Sequence, residues 1–173
     1  MSRGFWLTII LLLLACGASV SSTSRATCAT VAAPPAAESA DVALIVNQKN
    51  SMQDISFSAL RKYFMAERTQ WPDGTRVVIA MRAPAGQTER SVVLHSLYGW
   101  NEDYYRTYFR QGQFNESIQS VPKELNTTYA MIQYVHYTPG ALGYVRADQV
   151  DYSKVNVLSV DGRKPGDAGY RLK

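Results

Sequence analysis

Val42-Ala43-Leu44-Ile45-Val46 is an unbroken apolar run. With no polar alternation, it reads as a strand covered on both faces, the pattern of a sheet held between layers of helix. Residues 47–54 are polar and loop-like. Ser56 or Ser58 is placed to cap a helix reaching about Met65, with Leu60, Tyr63 and Phe64 along one side. Trp71-Pro72-Asp73-Gly74 then reads as a turn, because proline presets φ and Asp-Gly tolerates tight backbone. In the stretch that follows, Val77, Ile79 and Met81 alternate with Val78, Ala80 and Arg82, which predicts a second strand.

Further along, Gln87 or Thr88 opens a helix reaching about Tyr98. Asn101 caps the next one, with Glu102 and Asp103 in its first turn and Arg106 one turn on, an order that suits the helix dipole and gives a Glu102–Arg106 pair. A third helix over residues 128–137 stops before Pro139-Gly140. Strands over residues 141–145 and 155–160, an Asp161-Gly162 turn and an extended piece at 170–172 complete the chain. Strands separated by helices imply one three-layer α/β domain, its sheet mixed and mostly parallel, flanked by helices.

The N-terminal region reads differently. Within residues 1–16, Arg3 is the only charge and Phe5 onward is almost wholly apolar. A basic start and an apolar run of about 7–15 residues is the pattern of a secretory signal peptide, too short to span a bilayer comfortably. Leu13-Leu14-Ala15-Cys16-Gly17 resembles a bacterial lipobox, which makes Cys16 the lipidation candidate; cleavage after Ala18 or Ala26 is the alternative. Residues 17–40 are rich in Ser, Thr, Ala and Pro and read as a disordered tether. That leaves residues 41–173 as the domain, a size able to build a core without disulfides, since both cysteines, Cys16 and Cys28, precede it.

The net charge of +4 comes from basic residues scattered among acids, which is no nucleic-acid footprint. The two histidines, His95 and His136, have no Cys or His at ligand spacing and read as packed or surface side chains on helices. No nucleophile elbow, P-loop or dinucleotide fingerprint occurs, so neither an enzyme, a metal nor a cofactor is expected. The aromatic cluster Tyr98, Trp100, Tyr104, Tyr105, Tyr108 and Phe109 reads first as core and second as a partner surface.

Several motifs in order carry a resemblance: Ile55-Ser56-Phe57-Ser58-Ala59-Leu60-Arg61-Lys62-Tyr63-Phe64, then Trp71-Pro72-Asp73-Gly74, a strand ending in Arg82, Pro139-Gly140-Ala141-Leu142-Gly143-Tyr144-Val145, and Val157-Leu158-Ser159-Val160-Asp161-Gly162. Together they resemble the phosphate-binding proteins of bacterial ABC importers, within the PBP-like (type 2 periplasmic-binding) group, in a short version of roughly one lobe. The family binds phosphate between two lobes, one of which contributes an arginine followed four residues later by serine-glycine-threonine at a helix start. Arg82 stands in the arginine's place, and Gly86, Gln87 and Thr88 follow at that spacing. Only the arginine and the threonine fit; Gly86 replaces the serine and Gln87 the glycine.

The chemistry of these residues agrees in part with what the resemblance implies. A helix N-terminus offers free N–H groups, Arg82 a fork of charged donors, Thr88 a hydroxyl, Gln87 an amide, and Gly86 close backbone approach. Read plainly instead, Thr88 caps its helix and Arg82 pairs with an acid such as Glu89. The resemblance implies an exported, periplasmic substrate-binding-like domain taking phosphate or a similar oxyanion and linked to phosphate uptake or sensing. Its partners on that view are an ABC permease, a sensor or a second copy of itself. The alternative is an envelope protein-interaction module that keeps the fold without the ligand.

Overall fold

The computed structural model describes residues 41–84, 88–118 and 120–173. The expected signal segment at 1–16, the tether at 17–40, and Gly86 and Gln87 lie outside them. Among the described residues, six strands form one sheet: β1 (Val42–Asn47), β2 (Asp54–Ile55), β3 (Val78–Arg82), β4 (Lys123–Leu125), β5 (Ala141–Arg146) and β6 (Val155–Val160), in spatial order β2-β6-β1-β5-β3-β4. β1 runs antiparallel to both its neighbours, β5 and β6, while β2–β6, β3–β5 and β3–β4 pair in parallel. The sheet is therefore mixed and mostly parallel, with the reversed strand in its middle.

Helices cover both faces. On one side lie α1 (Phe57–Phe64), α2 (Thr88–Val93) with the π-helical turn Leu94–Tyr98 that prolongs it, and α3 (Glu102–Phe114); α4 (Thr128–Tyr137) covers the other. The apolar run that opened the domain shows why both are needed. Val42, Leu44 and Val46 pack with Leu60, Phe64, Leu97 and Phe109, while Ile45 points the opposite way to Met131, Ile132 and Val135 of α4. All of β1 is buried, as a strand with two covered faces must be.

Local chemistry starts and stops the helices where expected. The Ser56 hydroxyl accepts from the Ala59 N–H at 3.2 Å, Asn101 Oδ1 from the Tyr104 N–H at 2.8 Å and Thr127 Oγ1 from the Ala130 N–H at 3.0 Å. The helix expected to reach Tyr98 widens into its π-helical turn and ends on Gly99, whose φ of 69° lets the cap N–H reach back to the Leu94 carbonyl. Two short strands, β2 and β4, had no sequence signal. The expected extended piece at 170–172 forms no strand, but Val42 N–H donates to the Leu172 carbonyl at 2.9 Å, and Tyr170 and Leu172 are buried.

Candidate functional site

β3, one strand in from the sheet edge, carries the candidate arginine at its carboxyl end. Its ladder with β5 pairs Val78 with Ala141 and Ile79 with Leu142. Beyond that point, side chains take over the backbone of Arg82. Its N–H donates to the Tyr144 hydroxyl at 3.0 Å, and its carbonyl accepts from Arg90 Nη1. The next residue returns to a strand partner, Ala83 N–H donating to the Leu125 carbonyl at 2.9 Å. Arg82 itself is 4% exposed. Thr88 opens α2 as its first helical residue and is exposed; Glu89, beside it, is buried. The structure thus places Arg82 at the carboxyl end of β3 and Thr88 at the start of the following helix, with Gly86 and Gln87 outside the described residues.

Behind this strand end lies a group of polar side chains that the sequence reading did not single out. The Arg90 guanidinium, 2% exposed, grips both carboxylate oxygens of Glu102, with Nε–Oε2 and Nη2–Oε1 at 2.8 Å, and reaches Glu124 Oε1 at 3.2 Å. It lies over the Tyr105 ring, 4.9 Å from the centroid. The expected Glu102–Arg106 pair is present at 3.3 Å, but it is the weaker of the two contacts that Glu102 makes. The hydrogen bond from Arg90 holds the Glu102 carboxyl below the ordinary glutamate value. Burial pushes the Tyr144 and Tyr105 phenols far up, so both stay protonated. Among the described residues the buried Tyr105 hydroxyl has no hydrogen-bond partner.

A signal for Arg90 was present. It falls in helical register with Val93, Leu94 and Leu97, three residues that face the core. A basic residue on that stripe must be buried, and a buried guanidinium needs partners. Their identity is not local, since Glu102 and Glu124 lie 12 and 34 residues away.

Beside the cluster, Pro84, Arg90, Ser91, Leu94, Trp100, Asn101 and Glu102 line an open cleft of about 270 Å³. The aromatic cluster, of which Trp100 lines the cleft, divides by depth. Tyr98, Tyr105 and Phe109 are core, Trp100 and Tyr108 pack partly exposed against it, and Tyr104 is 57% exposed with its ring 4.8 Å from that of Trp100. His95 lies exposed on the π-helical turn, and His136 is half-buried with Nδ1 2.9 Å from the Lys154 carbonyl. The described residues contain no group of three or more His, Cys, Asp or Glu arranged to hold a metal ion. No helix among them is long and apolar enough to cross a membrane.

No family model and no curated protein sequence matches the chain. Solved structures do. An ABC-type phosphate transport receptor from Vibrio cholerae superposes with a TM-score of 0.60 at 16% identity, over 76% of this chain and 53% of that one. PstS from Borrelia burgdorferi gives 0.58 at 16% identity, over 76% and 53%. A putative phosphate ABC transporter substrate-binding protein with bound phosphate, from Clostridium perfringens, gives 0.57 at 18% identity, over 72% and 46%. The chain spans about half the length of these structures. The chain therefore shares the fold of part of these substrate-binding proteins, over about half of their length. At such identities the likeness defines the fold, and a fold does not by itself fix a ligand.

Proposed function

We propose that this is an exported substrate-binding-like domain that takes phosphate or a similar oxyanion at the carboxyl end of β3, through Arg82, Thr88 and the intervening Gly86 and Gln87. The observation that carries the reading is Arg82, 4% exposed at a strand end and followed at short range by a helix start. Ligands of open α/β sheets gather outside the carboxyl ends of strands. An anion meeting a guanidinium in so dry a place forms charge-assisted hydrogen bonds far stronger than it would in water. The likeness to structures described as phosphate receptors supports the same ligand class. On this reading residues 1–16 direct export, Cys16 anchors the chain to lipid, residues 17–40 tether the domain in the periplasm, and the partner is an ABC permease, a sensor or a second copy.

Calorimetric titration with phosphate and then sulfate, beside Arg82→Ala, tests this. Saturable binding that the folded variant lacks supports the oxyanion site. No heat from either anion at millimolar concentration sinks it. The second reading, a protein-interaction module, has its own observation: Tyr104 stands 57% exposed beside Trp100, which lines the open cleft. On that reading Tyr104→Ala weakens partner binding while Arg82→Ala does not.

A further inference from the structure

Arg90 is built into the lobe as a junction. Its guanidinium joins the last residue of β3 through the Arg82 carbonyl, the first turn of α3 through Glu102, and the sheet-edge strand β4 through Glu124. Tyr144, from β5, holds the N–H of the same Arg82. The residue that carries the candidate ligand-binding guanidinium thus has both backbone polar groups held by side chains, just where its ladder with β5 stops at Ile79 and Leu142. A buried arginine paired with partly exposed carboxylates is a poor way to gain stability, because the desolvation of the guanidinium offsets much of what the pairing returns. What it provides is placement, since a planar fork with five donors can fix three partners in one geometry.

We propose that Arg90 is the positioning residue of the oxyanion site, setting the place and the rigidity of Arg82 from behind. This rests on the reading of Arg82 as the anion-binding residue. A lysine at position 90 keeps the charge but, as a single flexible ammonium, cannot span the Arg82 carbonyl and the Glu102 carboxylate in a fixed plane. The backbone of Arg82 then loosens although the fold survives. Removing the Glu102 charge acts in the same direction, because the fork loses its bidentate anchor while the guanidinium stays.

The test uses the full chain with Arg90→Lys and Glu102→Gln, and three readouts: thermal unfolding, the NMR signals of the Arg82 backbone N–H and Nε–H without added anion, and phosphate titration. The expected result is a folded variant whose Arg82 N–H exchanges with water at least about tenfold faster, as local opening allows. Its phosphate Kd rises about tenfold or more, the usual cost of losing a supporting contact behind a ligand-holding residue. A folded Arg90→Lys protein with Arg82 signals superimposable on those of the wild type, or with unchanged phosphate affinity, overturns the positioning role. If the wild type takes up neither phosphate nor sulfate, the oxyanion reading fails separately, and the Arg82 signals alone still decide whether Arg90 places it. Should Arg90→Lys fail to fold, Glu102→Gln makes the same comparison with the guanidinium in place.

Discussion

Gly140 ties two distant turns together through one carbonyl. Its oxygen accepts from the Trp71 indole N–H at 3.0 Å and from the Val78 N–H at 3.1 Å. Its φ of 79° lies in the region where a side chain is strained, and a Cβ there would run into the Arg76 backbone and sit 3.0 Å from Thr75 Cγ2. The Trp71-Pro72-Asp73-Gly74 turn and the Pro139-Gly140 turn are therefore one packed unit at the start of β3 and β5, the two strands that lead to Arg82 and Tyr144. Gly140→Ala has both the left-handed backbone and the collision against it, a cost of about 2–4 kcal/mol. Urea unfolding should show the midpoint falling accordingly, with Trp71 fluorescence altered in the native baseline. A variant as stable as the wild type would mean that the turn relaxes freely and the two motifs are not coupled through this residue.

At the scale of elements, the joint between α2, α3 and β4 turns on one carboxylate. Because Arg90 donates to it, the Glu102 carboxyl titrates below the ordinary glutamate value of 4.5 in the folded protein. A group whose folded pKa is depressed contributes stability above its unfolded pKa and loses it as acid protonates the folded form. Glu102→Gln should then be less stable than the wild type at neutral pH by about 1–2 kcal/mol. The gap should close as the pH falls below the ordinary glutamate value of 4.5 and acid neutralises the wild-type carboxyl. Denaturant midpoints for both proteins across that fall in pH measure it, and a constant gap would show that the carboxylate's charge is not what Arg90 uses. This joint also marks where the sequence stopped being readable. The caps Ser56 and Asn101, the α4 span and strands β1, β5 and β6 were legible, because each follows from side chains within a few residues. The pairing of Glu102 with Arg106 was legible for the same reason. Its stronger pairing with Arg90 was not, since that contact depends on how α2 packs against α3. β2 and β4, with two and three residues, are too short to show a period, and exist because neighbours already stand there to pair with. For the site, the spacing from Arg82 to Thr88 was visible in the chain, whereas the Tyr144 and Arg90 contacts that hold Arg82 cross 62 and 8 residues.

For the molecule as a whole, the central position of β1 makes the C-terminal segment part of the core. β1 lies between β5 and β6, antiparallel to both, so the chain enters the domain at the middle of its sheet. The segment after β6 returns to that entry point. The Val42 N–H donates to the Leu172 carbonyl at 2.9 Å, the Tyr170 hydroxyl donates to the Val42 carbonyl at 2.7 Å, and Asp41 Oδ2 accepts from the Gly166 N–H at 2.7 Å. Leu172 is wholly buried and Tyr170 nearly so, both in the cluster shared with α1 and α3. Burial, with a carbonyl as acceptor, leaves Tyr170 a neutral donor at any physiological pH. Removing residues 170–173 therefore strips two core side chains and orphans both backbone groups of Val42 at once. Losses of this kind sum to about 5 kcal/mol or more, comparable with the entire stability of a domain this size. The truncated chain should lose its cooperative thermal transition, while Tyr170→Phe, which gives up the single hydroxyl contact, should stay folded and fall by about 1–2 kcal/mol. Circular dichroism melts of the two variants separate the cases. A truncated chain melting cooperatively at the wild-type temperature would show that the return segment only rests on the surface. The sheet would then hold its reversed central strand by the β5 and β6 ladders alone, and the packing of Leu172 would contribute nothing to the lobe that presents Arg82.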